Sequence, residues 1–160
     1  MPRISNTHII HQLEQPALSI RSMVPLEDIF SLITDHYRKI TDYLMQIDES
    51  ITSVPLVIYH DYRNMGEKTI DMEVVFPVTK NLPGNELVKS MKIPENRLAF
   101  GMFLGTQEDM EKFYDELENW ILLNNFRIVG PAYEYYYNGY EFGSDYLLTK
   151  IAIPILPNIY

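Results

Sequence analysis

The stretch GPAYEYYYNG, from Gly130 to Gly139, sets one carboxylate, Glu134, among four tyrosines. A strand this aromatic belongs in an interior, where an ionised acid is costly, so Glu134 either points to water or serves a purpose. If it is buried, the chemistry is specific: desolvation disfavours the carboxylate and raises its pKa, and an arriving cation lowers it again. Aromatic faces attract a delocalised or quaternary cation by roughly 0.5–2 kcal/mol each, and a carboxylate away from water adds a Coulombic attraction. Any cation that a buried Glu134 held would therefore bind more tightly as pH rises through its titration. The alternatives are an exposed face, or a carboxylate satisfied by a neighbouring tyrosine hydroxyl.

Other chemistries find less support. The chain has no cysteine, which excludes disulfides, thiolate catalysis and thiolate metal sites. Its histidines, His8, His11, His36 and His60, form no HExxH-type pair; His8 and His11 have a chelating spacing but sit near a terminus, so neither metal nor cofactor is expected. Twenty-two acidic against thirteen basic residues give a formal charge of −9, the wrong sign for a phosphate-backbone binder and favourable to cationic ligands. Nucleic acid is not expected as a direct partner. No stretch approaches the ~20 consecutive apolar residues of a membrane span, and MPRISNTHII lacks the layout of a secretion signal, so no membrane contact and a cytoplasmic location are expected.

The elements that must position Glu134 occur in two passes. Residues 15–24 are β-prone and lead into 24–46, where Ile29, Phe30, Ile33, Tyr37, Ile40, Tyr43 and Leu44 recur at helical spacing after Pro25. Residues 55–62 and 68–78 read as a hairpin joined through RNMGE. After a Pro- and Gly-containing connector at 79–96 comes a strand, NRLAFGMFLG, then a helix over 106–125. Thr106 and Asp109 resemble a cap there, and Met110, Phe113, Leu117, Trp120 and Ile121 form the apolar stripe. Two strands follow, 131–138 and 145–155, joined by the turn GYEFGS. Sliding one half on the other pairs VPLED with GTQED, PLVIYHDY with PAYEYYYN and VVFPV with IAIPI.

The order strand, helix, strand, strand thus occurs twice, in repeats of about 8–79 and 96–156 within one domain spanning 1–160. The expected class is α+β: two tandem units packed as a pseudo-two-fold antiparallel assembly around a central groove. Grooves between repeated units are common homes for small molecules.

The stretches PALSIRSMVPLEDI, IDMEVVFPV, LAFGMFLGTQEDMEKFYDELENWILLNNFRIVGPAYEYYYN and DYLLTKIAIPI resemble the effector-binding domain of MerR-type and AraC-type multidrug regulators, which also occurs alone in the gyrase-inhibitory-protein family. The resemblance runs from about residue 8 to 156. It implies a central pocket for bulky, often cationic and aromatic ligands, with a buried glutamate in the penultimate strand meeting the cation; Glu134 falls there. Members often carry Pro-Tyr after the glycine that precedes the second helix, whereas Thr106 and Gln107 follow Gly105 here, removing one expected aromatic wall. No winged helix precedes the domain within these residues, so direct transcriptional control is not expected of them.

Period-2 alternation puts Ala132, Glu134 and Tyr136 on one strand face. With Ile151, Ile153 and Ile155 beneath the helices, Leu148, Lys150 and Ala152 are left for the groove. On this reading Glu134 faces a cavity walled by Tyr136 and Phe103 and bordered by Leu148. Ile58 and His60 join it from the first half beside Glu73, which is a possible ion-pair partner for Lys150. The leading function is a module that binds or sequesters hydrophobic, cationic small molecules. Two alternatives accompany it: a hydrolase of strained genotoxic small molecules, which the resemblance also implies and in which Glu134 would be catalytic, and a gyrase-interacting inhibitory protein.

Overall fold

The computed structural model of the chain describes residues 4–62, 68–138 and 147–159. The hairpin link RNMGE and the turn GYEFGS lie outside the described residues. Antiparallel strands and two helices make an α+β fold, and the chain divides into two compact units: residues 13–95, and residues 1–12 with 96–160.

The chain begins with β1 (His8–Gln12), which belongs to the later unit. The earlier unit contains β2 (Gln15–Pro25), α1 (Ile29–Gln46), β3 (Leu56–Tyr59), β4 (Thr69–Pro77) and β5 (Lys89–Ile93). Pro25 precedes a 3₁₀ turn, Leu26–Asp28, that leads into α1. Ile29, Ile33, Ile40, Tyr43 and Leu44 are buried along one stripe, together with His36, which burial pushes below the ordinary histidine range. β4 pairs with β2 and β3. Tyr37 of α1 meets Phe76 edge-on at 5.3 Å, so Met72, Val74 and Phe76 face the helix and Asp71, Glu73 and Val75 face away. Every residue from Met72 to Pro77 is buried, so both strand faces are covered.

The later unit adds β6 (Asn96–Gly105), α2 (Met110–Leu123), β7 (Phe126–Ile128), β8 (Ala132–Tyr136) and β9 (Leu147–Pro157). β6 pairs with β1 and β9, and β9 also pairs with β8 and β7. The expected cap is present: the Thr106 N–H donates to Asp109 Oδ2 at 2.9 Å within a capping box. Gly105 is tightly enclosed: a Cβ there would lie 2.6 Å from Phe113 Cζ and 2.8 Å from Asp109 Oδ2, so those side chains would have to shift to admit one. Its absence lets α2 start against the sheet. None of the described helices is long and apolar enough to cross a membrane.

Strand pairing tests the internal repeat residue by residue. Ile20 opposes Val74 in the earlier unit, and Gly101 opposes Ile151 in the later one, as the slide of VPLED on GTQED requires. The third strand departs from it: Val57 opposes Val74, while Glu134 opposes Ile151. The counterpart of Glu134 is therefore Val57, one residue from the Ile58 that direct alignment gives. Because strand side chains alternate, that slip exchanges the faces.

Candidate functional site

Glu134 sits in the middle of β8 and is 5% exposed. Directly opposed residues of an antiparallel pair point to the same side. Glu134 therefore shares its side with Ile151, Gly101 and Phe103, which α2 covers. Phe103 is fully buried and stacks on Phe113 of α2, with ring centroids 4.8 Å apart. Its ring also lies against Gly101, at 3.0 Å from where a Cβ would be.

This corrects the expected geometry. Glu134 does not share a side with Leu148, Lys150 and Ala152; it lies under α2, and those three occupy the opposite side with Tyr133 and Tyr135. The physical cause is register: Ile151 was rightly put beneath the helix, and pairing brings Glu134 with it.

Each carboxylate oxygen accepts one hydrogen bond. Tyr136 donates to Oε1 at 2.7 Å, and Tyr114, from α2, donates to Oε2. Tyrosine hydroxyls thus satisfy the carboxylate's hydrogen bonds inside the protein, but as neutral donors they give its charge no counter-ion. Burial pushes the Glu134 pKa up, the two phenols pull it down, and the net result is above the ordinary carboxyl range. Beside it on the same side, Thr149 is fully buried, and its Oγ1 has no hydrogen-bond partner among the described residues. Such a group stands out, because buried hydroxyls are nearly always paired.

Of the residues expected at the site, Glu134 and Tyr136 come together, and Phe103 lies on the same side, across Thr149 from Tyr136. Leu148 is half-buried on the other side. Ile58 and His60 belong to the earlier unit, where they attend Glu73: Ile58 opposes it in the ladder, and His60 Nε2 lies 2.8 Å from its Oε1. Ser19 Oγ donates to Oε2 of the same group at 2.6 Å. Burial pushes Glu73 up, but His60 and Ser19 as donors, with the electrostatic pull of His60 and Arg21, outweigh it and hold the pKa below the ordinary range. Lys150, expected opposite Glu73, instead has its ammonium over the rings of Phe100 and Tyr135.

Tyr114 was missed by sequence reasoning. It follows Met110 by four positions and precedes Leu117 by three, which puts it at the edge of the apolar stripe, and a phenol at such an edge is suited to reach a buried acceptor. No group of three or more His, Cys, Asp or Glu residues placed to hold a metal ion occurs among the described residues.

The family model for the GyrI-like small molecule binding domain matches residues 5–156. Among solved structures, EcmrR in its complex with DNA superposes with a TM-score of 0.80 at 21% identity, over 95% of this chain and 57% of that one. The chain thus spans little more than half of that regulator. A hydrolase from Listeria innocua gives a TM-score of 0.70 at 10% identity, over 94% of this chain and 91% of that one. SAV2435 bound to tetraphenylphosphonium gives 0.65 at 10% identity, over 95% and 94% of the two chains. At these identities the likeness is one of fold. The search of curated proteins gives no match.

Proposed function

Since the chain belongs to the GyrI-like small molecule binding domain family, we propose that it is a ligand-binding or drug-sequestering module for bulky hydrophobic cations, with Glu134 as the charge that selects them. The observation that carries this reading is a buried carboxyl held, among the described residues, by two neutral phenols and no cation. A buried acid whose role was purely structural would be expected to have cationic partners or to be replaced by an apolar residue. Among the described residues Glu134 has no cationic partner, so its interaction with a positive charge remains available.

The mechanism follows from the pKa. Without ligand, burial biases Glu134 towards its protonated form. A cation arriving beside it stabilises the carboxylate and expels the proton, while Tyr114 and Tyr136 keep the oxygens aimed. Affinity therefore rises with pH until the carboxyl is fully ionised in the free protein, then levels off. Phe103 and Phe113 supply aromatic surface nearby, and Thr149 Oγ1 is a spare polar contact. The binding of tetraphenylphosphonium by SAV2435, on the same fold, makes that ion the natural probe.

Isothermal titration with tetraphenylphosphonium should give a single site in the wild type and an affinity at least about tenfold lower in Glu134→Gln, the size of effect expected when one buried charge contact is lost. Equal affinity in the two proteins would refute the assignment. A carboxyl biased towards its acid form also suits proton donation. Incubation of an epoxide or cyclopropane substrate with both proteins therefore tests the hydrolase alternative, which gains only from turnover that vanishes in Glu134→Gln.

A further inference from the structure

Lys150 lies on β9, opposite Met102 of β6 and Tyr135 of β8, on the side away from Glu134. Its Nζ stands 4.4 Å from the Phe100 ring centroid and 4.9 Å from that of Tyr135. Three observations make this ammonium unusual. Lys39, Lys80 and Lys92, whose side chains are 41%, 66% and 53% exposed, each have a carboxylate partner, and the exposed Lys89 donates to the Asn85 carbonyl; Lys150 is more buried and has neither a carboxylate nor a carbonyl partner among the described residues. The ladder pairings on this side bring in residues of β1, β6 and β8, and none of them is Asp or Glu, in a chain of net charge −9. Tyr135 cannot serve as the counter-ion, because burial pushes its phenol up to about 12 and so keeps it neutral.

The internal repeat sharpens the contrast. Lys150 occupies the place that Glu73 holds in the earlier unit, and Phe100 the place of Ser19. There the charged group has two hydrogen-bonding partners in its own unit. Here the corresponding neighbour is an aromatic ring, which stabilises an ammonium without neutralising it.

We propose that Lys150, with Phe100 and Tyr135, forms an anion site that takes the carboxylate of a small planar aromatic acid. The carboxylate would pair with Nζ in a charge-assisted hydrogen bond, and the ring of the acid would lie along Phe100 and the half-exposed Met102. His8, whose ring packs on Phe100 at 5.7 Å, adds a second nitrogen donor at the exposed rim. Burial, with no opposing influence, pushes the Lys150 pKa down, as expected of a cation without a counter-ion. The overall negative charge is screened within about 10 Å at ordinary salt, so local chemistry decides the sign of the ligand. Access is from the Phe100 and Met102 end, since Tyr133 and Ala152 are fully covered.

The test is a titration of the full chain with 2-naphthoate, followed by calorimetry. The expected result is one site in the wild type, at least tenfold weaker binding in Lys150→Met, retention in Lys150→Arg, and no change in Glu134→Gln. Because Glu134→Gln separates the two sites, failure here leaves the cation reading intact, and the converse also holds. Should Lys150→Met fold poorly, wild-type protein serves: naphthoate should slow acetylation of Lys150 selectively, as followed by peptide mass spectrometry. Wild-type affinity in Lys150→Met, or no protection of Lys150 at millimolar naphthoate, overturns the proposal.

Discussion

Glu73 and Glu134 are buried to nearly the same extent, at 8% and 5% exposure, and each accepts two side-chain hydrogen bonds, yet their pKa values move in opposite directions. Burial pushes both up. Two things differ: at similar exposure Glu134 lies deeper, so burial acts on it more strongly, and the donors differ in character. Around Glu73 stand His60, Ser19 and, nearby, Arg21, itself held by Asp71 through Nε and Nη2 at 3.0 and 2.7 Å. Around Glu134 stand two phenols that carry no charge. Geometry alone therefore does not make a buried acid a site. Glu73 is completed by its own unit, whereas Glu134 is hydrogen-bonded but has no charged partner among the described residues; under the proposed function, that difference separates a structural carboxylate from one that selects a cation.

The largest expected effect tests this contrast through stability. Glu73→Gln should destabilise the protein by about 1.5–3 kcal/mol at pH 7, the usual worth of hydrogen bonds to a charged group, while Glu134→Gln should leave stability unchanged or raise it. Urea denaturation reads both. The pH dependence should diverge as well. The Glu73 pKa is lowered from 4.5, so its contribution is present above that pH and is lost as pH falls through the folded value. The Glu134 pKa is raised from 4.5, so the wild type loses stability as pH rises from there through the folded value. Relative to wild type, Glu134→Gln should therefore gain with rising pH and Glu73→Gln should fall behind. Parallel curves for the two variants would erase the distinction.

The second expected effect concerns how α2 reaches Glu134. At the position where Gly105 enters the helix, the earlier unit has Val24, so a side chain is accommodated in one unit and meets Phe113 and Asp109 in the other. Gly105→Ala should cost about 1–3 kcal/mol, because the new methyl meets Phe113 and the Asp109 carboxylate. By displacing α2 it should also weaken the Tyr114 contact and with it tetraphenylphosphonium binding. Destabilisation without any change in binding would detach the helix entry from the site.

Much of this was legible in the sequence, for identifiable reasons. The helices announced themselves through 3.6-residue periodicity, and the Thr106 cap through side chains only three positions apart, because both signals are local. β1, β5 and β7 were not read: each is five residues or fewer, and partners far along the chain decide whether such a segment is a strand. β5, for example, lies in the stretch 79–96 that reads as a connector. The tyrosine neighbours single out Glu134 as an acid in an aromatic strand, but they leave an exposed face open as the alternative to burial, and they do not show which side of the strand it takes. A slide based on residue likeness matched Ile58 to Glu134, whereas hydrogen-bond register, which sequence does not display, matches Val57. Tyr114 escaped because only the placement of the helix on the sheet brings its hydroxyl to β8.

The smallest effect asks which phenol matters more to Glu134. Tyr136 approaches from two residues along the same strand, so its hydroxyl is fixed by the local pleat, whereas Tyr114 comes from α2 and holds helix to sheet. Tyr136→Phe and Tyr114→Phe each remove one neutral donor, which is worth about 0.5–1.5 kcal/mol, and each should raise the Glu134 pKa further by leaving burial less opposed. A carboxyl ¹³C titration of Glu134 reads the pKa, and proteolysis within α2 reads the helix. Both variants should move the titration upward, and only Tyr114→Phe should also expose α2 to cleavage. If neither shifts the titration, the phenols do not set the charge state of Glu134; its contrast with Glu73 would then rest on its deeper burial and on the charges of His60 and Arg21.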